Sequence, residues 1–272
     1  MRTSERVAPA PPGLGIDGAV GRPSSGVEHW FRSLGLMMRF DAGRAREWAA
    51  MMAIIQVMMG AGMAFMYGFF YPVVTPTIAL FIVTGTPTLA LIPLGLVMVP
   101  TGVSQQKVEG TFDFIWSLPT PRSAQAASTF VLYTALSIPG MVVAVVIAAW
   151  KYGVTLSVSP AIVPAVLLSS LMAISVGFGM ALVIKSPIVV NLITNTLVFV
   201  VLLFSPIVFP ASHLPPWLMD VHRFLPFYAM AQVVRAGLTN GIVVDVARSY
   251  VVLVIWTLIG WGLTASVIAR RR

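Results

Sequence analysis

The sequence predicts an all-α membrane protein with six transmembrane helices, and three observations carry that expectation. Apolar residues make up 58% of the 272 residues and charged ones 10%, a balance that a soluble domain does not keep. The charges are bunched, which leaves six uncharged windows of about 20 residues, each enough to cross a bilayer core of about 30 Å. Of the 17 Lys and Arg residues, only four (Lys151, Arg223, Arg235 and Arg248) fall on one side of such a path. The remainder lie on the side of both termini, and the positive-inside rule puts that side in the cytoplasm. The net charge of +8 is thereby explained by topology, without nucleic acid as a partner.

Residues 1–27 are rich in Pro, Gly and Ser and lack the apolar stretch of a cleaved signal, so they are expected to form a disordered cytoplasmic tail. In 28–47, Trp30, Phe31, Leu34, Met37 and Met38 share a helical face, while Arg32, Arg39, Arg44 and Arg46 fall mostly elsewhere. That pattern predicts an amphipathic interfacial helix lying in the headgroup layer with Trp30 as its anchor. A helix recognised by a calmodulin-like protein has similar periodicity, but in a membrane chain lipid is the preferred partner.

The spans are expected near 48–71, 77–99, 127–150, 161–184, 188–209 and 250–269. Pro87 and Pro93 should kink or locally unwind the second. Gly60, Ala64 and Gly68 in the first, and Ala173, Gly177 and Ala181 in the fourth, recur every four residues and predict close helix packing. In the fifth, Asn191 and Asn195 share a face with Val198 and Leu202. Amides at membrane depth face protein or a water-filled path rather than lipid, and hydrogen bonding to a neighbouring helix or contact with a substrate both fit.

Beyond the fifth span, Pro216 and Pro226 stand where helices could begin, Gly237 and Gly241 where they could end. The apolar run 225–234 is too short to cross a bilayer. Two short outer half-helices are expected, the second re-entrant in the outer leaflet or capping the bundle, with Arg235 at its end.

Between the second and third spans, residues 105–124 hold the largest polar interruption on the cytoplasmic side. Lys107 and Arg122 bracket Glu109 and Asp113, and these charges surround Val108, Phe112, Ile115 and Trp116, whose spacing places the four on one face of a short helix. Gly110 interrupts it and Pro119 and Pro121 end it. Such a helix suits a cleft on a soluble partner, and equally an interfacial position on lipid.

The absences narrow the function. There is no cysteine, hence no disulfide or thiolate, and the three histidines are too scattered in sequence for a metal site. The three lysines follow Gln106, Trp150 and Ile184, so no P-loop is present. All nine acidic residues lie outside the expected spans, which argues against a proton- or sodium-coupled transporter or channel running without ATP. No nucleophile–base pair suggests an enzyme.

The loop KVEGTFDFIWSLPTPRS resembles the cytoplasmic loop of the permease subunits of type-2 ABC transporters. There an acidic residue and a Gly-Thr pair precede a short helix. The segment SPIVFPASHLPPWLMDVHRFLPFYAMAQVVRAGL is similar to that family's second mark, a Phe-Pro, a Leu-Pro-Trp, and a Pro followed by an apolar helix with an Arg. The resemblance implies a transmembrane domain over 48–272, with a coupling loop at 100–126 and an outer gate segment at 210–248. It implies a membrane-bound exporter subunit that binds no cofactor itself, working as a homo- or heterodimer of permease chains with two ATP-binding subunits that hold ATP and Mg. Glu109, Gly110 and Thr111 match the loop motif within a coupling helix that spans Lys107 and Asp113, and Phe112, Ile115 and Trp116 are the chosen docking face. Pro210, Leu214, Pro215, Trp217, Pro226 and Arg235 match the outer gate. Asn191, Asn195, Phe199 and Leu202 then fall at the dimer interface or along the path. An apolar path with few aromatics suggests a drug, antibiotic or lipid as cargo, with a lipid-linked polysaccharide as the alternative.

Overall fold

The structure, a computed structural model, describes residues 26–243 and 245–270. The expected tail, apart from its last two residues, and the two C-terminal arginines lie outside the described residues. Among the described residues helices are joined by short loops with no strands, and six helices are long and apolar enough to span a membrane.

The first helix departs from expectation. α1 runs without a break from Gly26 to Phe69, 44 residues, or about 66 Å at 1.5 Å per residue. The interfacial helix at 28–47 is therefore not a separate element, since nothing between Glu28 and Trp48 stops a helix: there is no proline, and Gly43 meets no steric demand. Its N-terminal half instead packs beside α5 (Arg122–Tyr152). Trp30 Nε1 donates to Ser123 Oγ at 2.9 Å and Ser128 Oγ to Asp41 Oδ2 at 2.6 Å. Farther along, a Cβ at Gly60 would sit 2.6 Å from Gly140 O, so α1 and α5 run parallel in close contact.

α2 (Pro76–Pro93) starts with Thr75 as its cap, whose hydroxyl accepts from Ile78 N at 3.3 Å, and with proline in its first turn, where no amide is missed. Pro87 is accommodated within the helix. Pro93 is followed by a π-helical turn, Leu94–Met98, which takes up the backbone groups that proline leaves unmatched. α3 (Val99–Val108) carries the same span onward, farther than the expected end near 99. Gly95 in the π turn meets Gly177 of α6 (Ile162–Val183) so closely that a Cβ on Gly177 would lie 2.2 Å from Gly95 O. Ala173 and Ala181 are fully buried beside it. The small-residue spacing thus serves packing within one bundle.

α2 is the most enclosed span, with Ile82, Val83, Ala90 and Ile92 fully buried among α1, α5, α6 and the far-end helices. α4 (Thr111–Ser117) lies at one end of the bundle. α7 (Pro187–Phe204) is the shortest span. It stops at Phe204 rather than near 209, because Ser205 precedes Pro206 and takes the extended backbone that proline imposes. Ile207 and Val208 then fold into the core at 1% exposure. The far end is closed by α8 (Pro216–Phe224) and α9 (Pro226–Leu238), each with proline in its first turn as expected. α10 (Val246–Arg270) packs against α6 and α9.

Candidate functional site

The turn between α3 and α4 is built by one glycine. Gly110 adopts φ +73°, a left-handed conformation that costs a β-carbon-bearing residue strain. It ends α3 and redirects the chain into α4. Within α4, Phe112 is 1% and Ile115 3% exposed, and Phe112 is clustered with Val99, Val103, Ile174, Phe178 and Leu182. Trp116 stacks on Phe112 with ring centroids 4.6 Å apart and is covered by the Arg122 guanidinium at 4.8 Å. Of the expected docking face, Phe112 and Ile115 are buried within the chain's own fold, while Trp116 stays half-buried. Val108 does not share it, being 66% exposed, because the left-handed Gly110 breaks the helical register between them.

Lys107 also faces inward. Its ammonium donates to the carbonyls of Ala181 and Leu182, the C-terminal end of α6, where unpaired carbonyls and the helix dipole favour a cation. The outward edge of the turn is formed by Val108, Glu109, Gly110, Asp113 and Phe114, all exposed, with Thr111 half-buried between. Glu109 accepts from Gln105 Nε2 at 3.1 Å. Phe114, 60% exposed, was not singled out by the sequence reading. Its two-residue offset from Phe112 was the available signal, since alternate phenylalanines on a helix cannot share a face.

At the far end, Arg235 does not project from the end of α9. It turns into the bundle at 1% exposure. Its Nε donates to Thr84 Oγ1 at 2.9 Å and its Nη2 to Ile207 O at 2.6 Å, and the guanidinium lies 4.1 Å from the Phe81 ring centroid. Burial lowers its pKa to about 10, which leaves it charged at neutral pH. One residue thus ties α9 to α2 and to the turn after α7. Pro226 is buried with it, whereas Pro210 and Leu214 are half-buried and Pro215 and Trp217 exposed.

The profile of the family described as ABC-2 family transporter protein matches residues 74–266. The chain belongs to the ABC-2 transporter family. It is a permease component of an ABC transporter, a membrane transport part of a family in which ATP is hydrolysed on a separate subunit. Among curated proteins none matches the chain. The family match begins after α1 and takes in every site residue named above for the turn and the far end.

In this ABC-2 permease the fifth span presents a mixed face. Val190, Thr194, Val198 and Val201 are its buried stripe. Asn191 and Leu202 are half-buried beside that stripe, and Asn195 and Phe199 are exposed, so Asn195 and Val198 do not share an environment. Asn191 Oδ1 accepts from Thr101 Oγ1 at 2.7 Å, and Asn195 Nδ2 donates to Asn191 O at 2.8 Å. The first amide is satisfied by α3. The second is turned outward midway along a span whose other exposed residues include Leu192, Phe199 and Leu203.

Proposed function

We propose that this chain is one half of the transmembrane pathway of an ATP-driven exporter in the plasma membrane, with both termini cytoplasmic. It pairs with a second permease chain and two ATP-binding subunits, and it moves a hydrophobic or amphiphilic cargo such as a drug, antibiotic or lipid. The observation that carries this reading is the construction of the α3–α4 turn. Its apolar side is sealed to the bundle, so Glu109, Gly110, Asp113 and Phe114 form a stiff projection held by the ends of α3 and α6. A floppy loop dissipates a push from a partner, whereas this turn passes it directly into the π turn of the second span.

The outward Asn195, between Leu192 and Phe199, supports pairing or a path at α7, because an amide facing lipid is unfavourable. Exposed aromatics on that helix are confined to Phe199 and Phe204, too few to stack a sugar chain, so an amphiphile is preferred over a lipid-linked polysaccharide. The test is co-purification of the tagged chain with its partners, followed by nucleotide-driven transport in vesicles with Glu109→Ala and Phe114→Ala. The reading expects insertion and folding to persist while ATP hydrolysis no longer drives transport. Solute movement by the lone chain without nucleotide would refute it.

A further inference from the structure

The far end holds a cleft of about 460 Å³ between α8, α9 and the start of α10. Phe81, Arg223, Tyr228, Gln232, Arg235 and Arg248 are among its lining residues, together with Asp245. Charge in this cleft is unbalanced. Arg223 is paired with Asp220 at 2.8 Å, and Asp245 Oδ1 accepts from the backbone amide of Arg248 at 3.2 Å. No carboxylate pairs with Arg235 among the described residues, and its Nη1, buried from water, has no hydrogen-bond partner. A guanidinium offers five N–H donors in a fixed fork, and here one arm of that fork is unmatched. A buried cation with no carboxylate partner is unfavourable, and an oxyanion in the cleft above it offsets that penalty through its charge.

We propose that this cleft is an oxyanion site that takes the phosphate group of an anionic amphiphile. Arg235, closed to water beneath the cleft, attracts the anion by its charge, Arg248 and Arg223 hold it from the exposed mouth, and the amide of Gln232, which donates to the Tyr228 hydroxyl, completes the polar wall. The three arginines, set against Asp245 and the Asp220 that pairs with Arg223, leave an excess of one positive charge, matching a phosphodiester monoanion. The proposal deepens the exporter reading by naming the chemistry of a cargo or lipid held at the exit side. It rests on that reading only for the side of the membrane on which the cleft lies.

The test uses the full chain in nanodiscs without ATP-binding subunits, so its outcome is separate from that of the co-purification above. Binding of dioctanoyl phosphatidylglycerol, uncharged dioctanoylglycerol and inorganic phosphate is measured by change in tryptophan fluorescence and by ligand-induced shift of Tm. Phosphatidylglycerol is expected to bind at least about tenfold more tightly than dioctanoylglycerol, and Arg248→Gln to weaken it by about tenfold, the range for a hydrogen bond to a charged group. Arg235→Gln, which removes the charge beneath the cleft, is expected to weaken it further. If that variant fails to fold, Arg248→Gln and Arg223→Gln on the exposed mouth still decide the matter. Inorganic phosphate competing as strongly as the lipid assigns the site to free oxyanion, and weak competition assigns it to the headgroup. Equal affinity for the charged and uncharged lipids, or an affinity unmoved by Arg248→Gln and Arg223→Gln, overturns the proposal.

Discussion

Phe112 and Phe114 stand two residues apart in α4 and occupy opposite worlds, 1% and 60% exposed. Replacing each by alanine separates sealing from docking. Phe112→Ala empties a space lined by Val99, Val103, Ile174, Phe178 and Leu182 and removes the stack on Trp116. Loss of a buried phenylalanine costs about 3–5 kcal/mol. At about 2–4 °C per kcal/mol for a chain of this size, the midpoint falls by about 6–20 °C. Phe114→Ala removes no internal contact of that kind and is expected to change stability by no more than about 0.5 kcal/mol. If the proposed coupling edge docks the ATP-binding subunit, loss of this exposed aromatic is expected to weaken the partner's hold by about 2 kcal/mol, or about 30-fold. Thermal unfolding in detergent, read by tryptophan fluorescence, reports the first effect. Titration of the ATP-binding subunit onto the immobilised permease reports the second. An unchanged midpoint for Phe112→Ala, with partner binding lost there and kept in Phe114→Ala, would show that the apolar side docks after all.

Further outcomes follow from other parts of the molecule. Gly177→Val places carbon against Gly95 O, where even a Cβ would sit 2.2 Å away, and overpacking of this kind costs about 1–3 kcal/mol, read as a lower midpoint. Thr84→Val strands the Nε of buried Arg235, and losing a hydrogen bond to a charged group costs about 1.5–3 kcal/mol, measured the same way. Because the chain has no cysteine, Asn195→Cys introduces a single thiol. Oxidation is expected to yield a covalent dimer if two copies meet at α7, whereas Leu258→Cys on the exposed face of α10 should stay monomeric on a denaturing gel. Burial of the His222 imidazole lowers its pKa from the ordinary value of 6.5, outweighing its backbone hydrogen bond at Phe204. The folded state therefore resists protonation that the unfolded chain accepts. Stability is expected to fall as pH drops below about 6.5, and His222→Gln should flatten the dependence of Tm on pH in that range.

The six spans were legible because each is set by a run of uncharged residues, and a run needs no knowledge of tertiary contacts. Helix starts at Pro216 and Pro226 were legible for a similar reason, since proline acts on its own backbone. The misreadings share one cause. Amphipathic periodicity in 105–118 correctly located an apolar face at Phe112, Ile115 and Trp116, but periodicity says only that a face is covered, not by what. Here the cover is α3 and α6 of the same chain. The inward turn of Lys107 is not legible in the sequence either, because the carbonyls it caps, those of Ala181 and Leu182, are far away along the chain. Arg235 does stand in the last turn of α9 as expected, but its partners Thr84 and Ile207 come from two other elements, which no local pattern reveals. The junction near Trp48 was drawn from a change in composition, which marks a change of solvent and carries no instruction for the backbone to stop.

The unbroken first helix makes the molecule mechanically lopsided. Its N-terminal half is tied to the α4–α5 junction, with His29 near Pro119 O at 3.1 Å and Trp30 bonded to Ser123, while its other half is pressed against Gly140. A tilt of about 10° at one tip of a rod about 66 Å long displaces the opposite tip by roughly 11 Å. Because α1 is fastened to α5 at Ser123, Asp41–Ser128 and Gly60–Gly140, any such swivel would carry both helices together, with its largest displacement where Tyr67 reaches the Leu202 carbonyl.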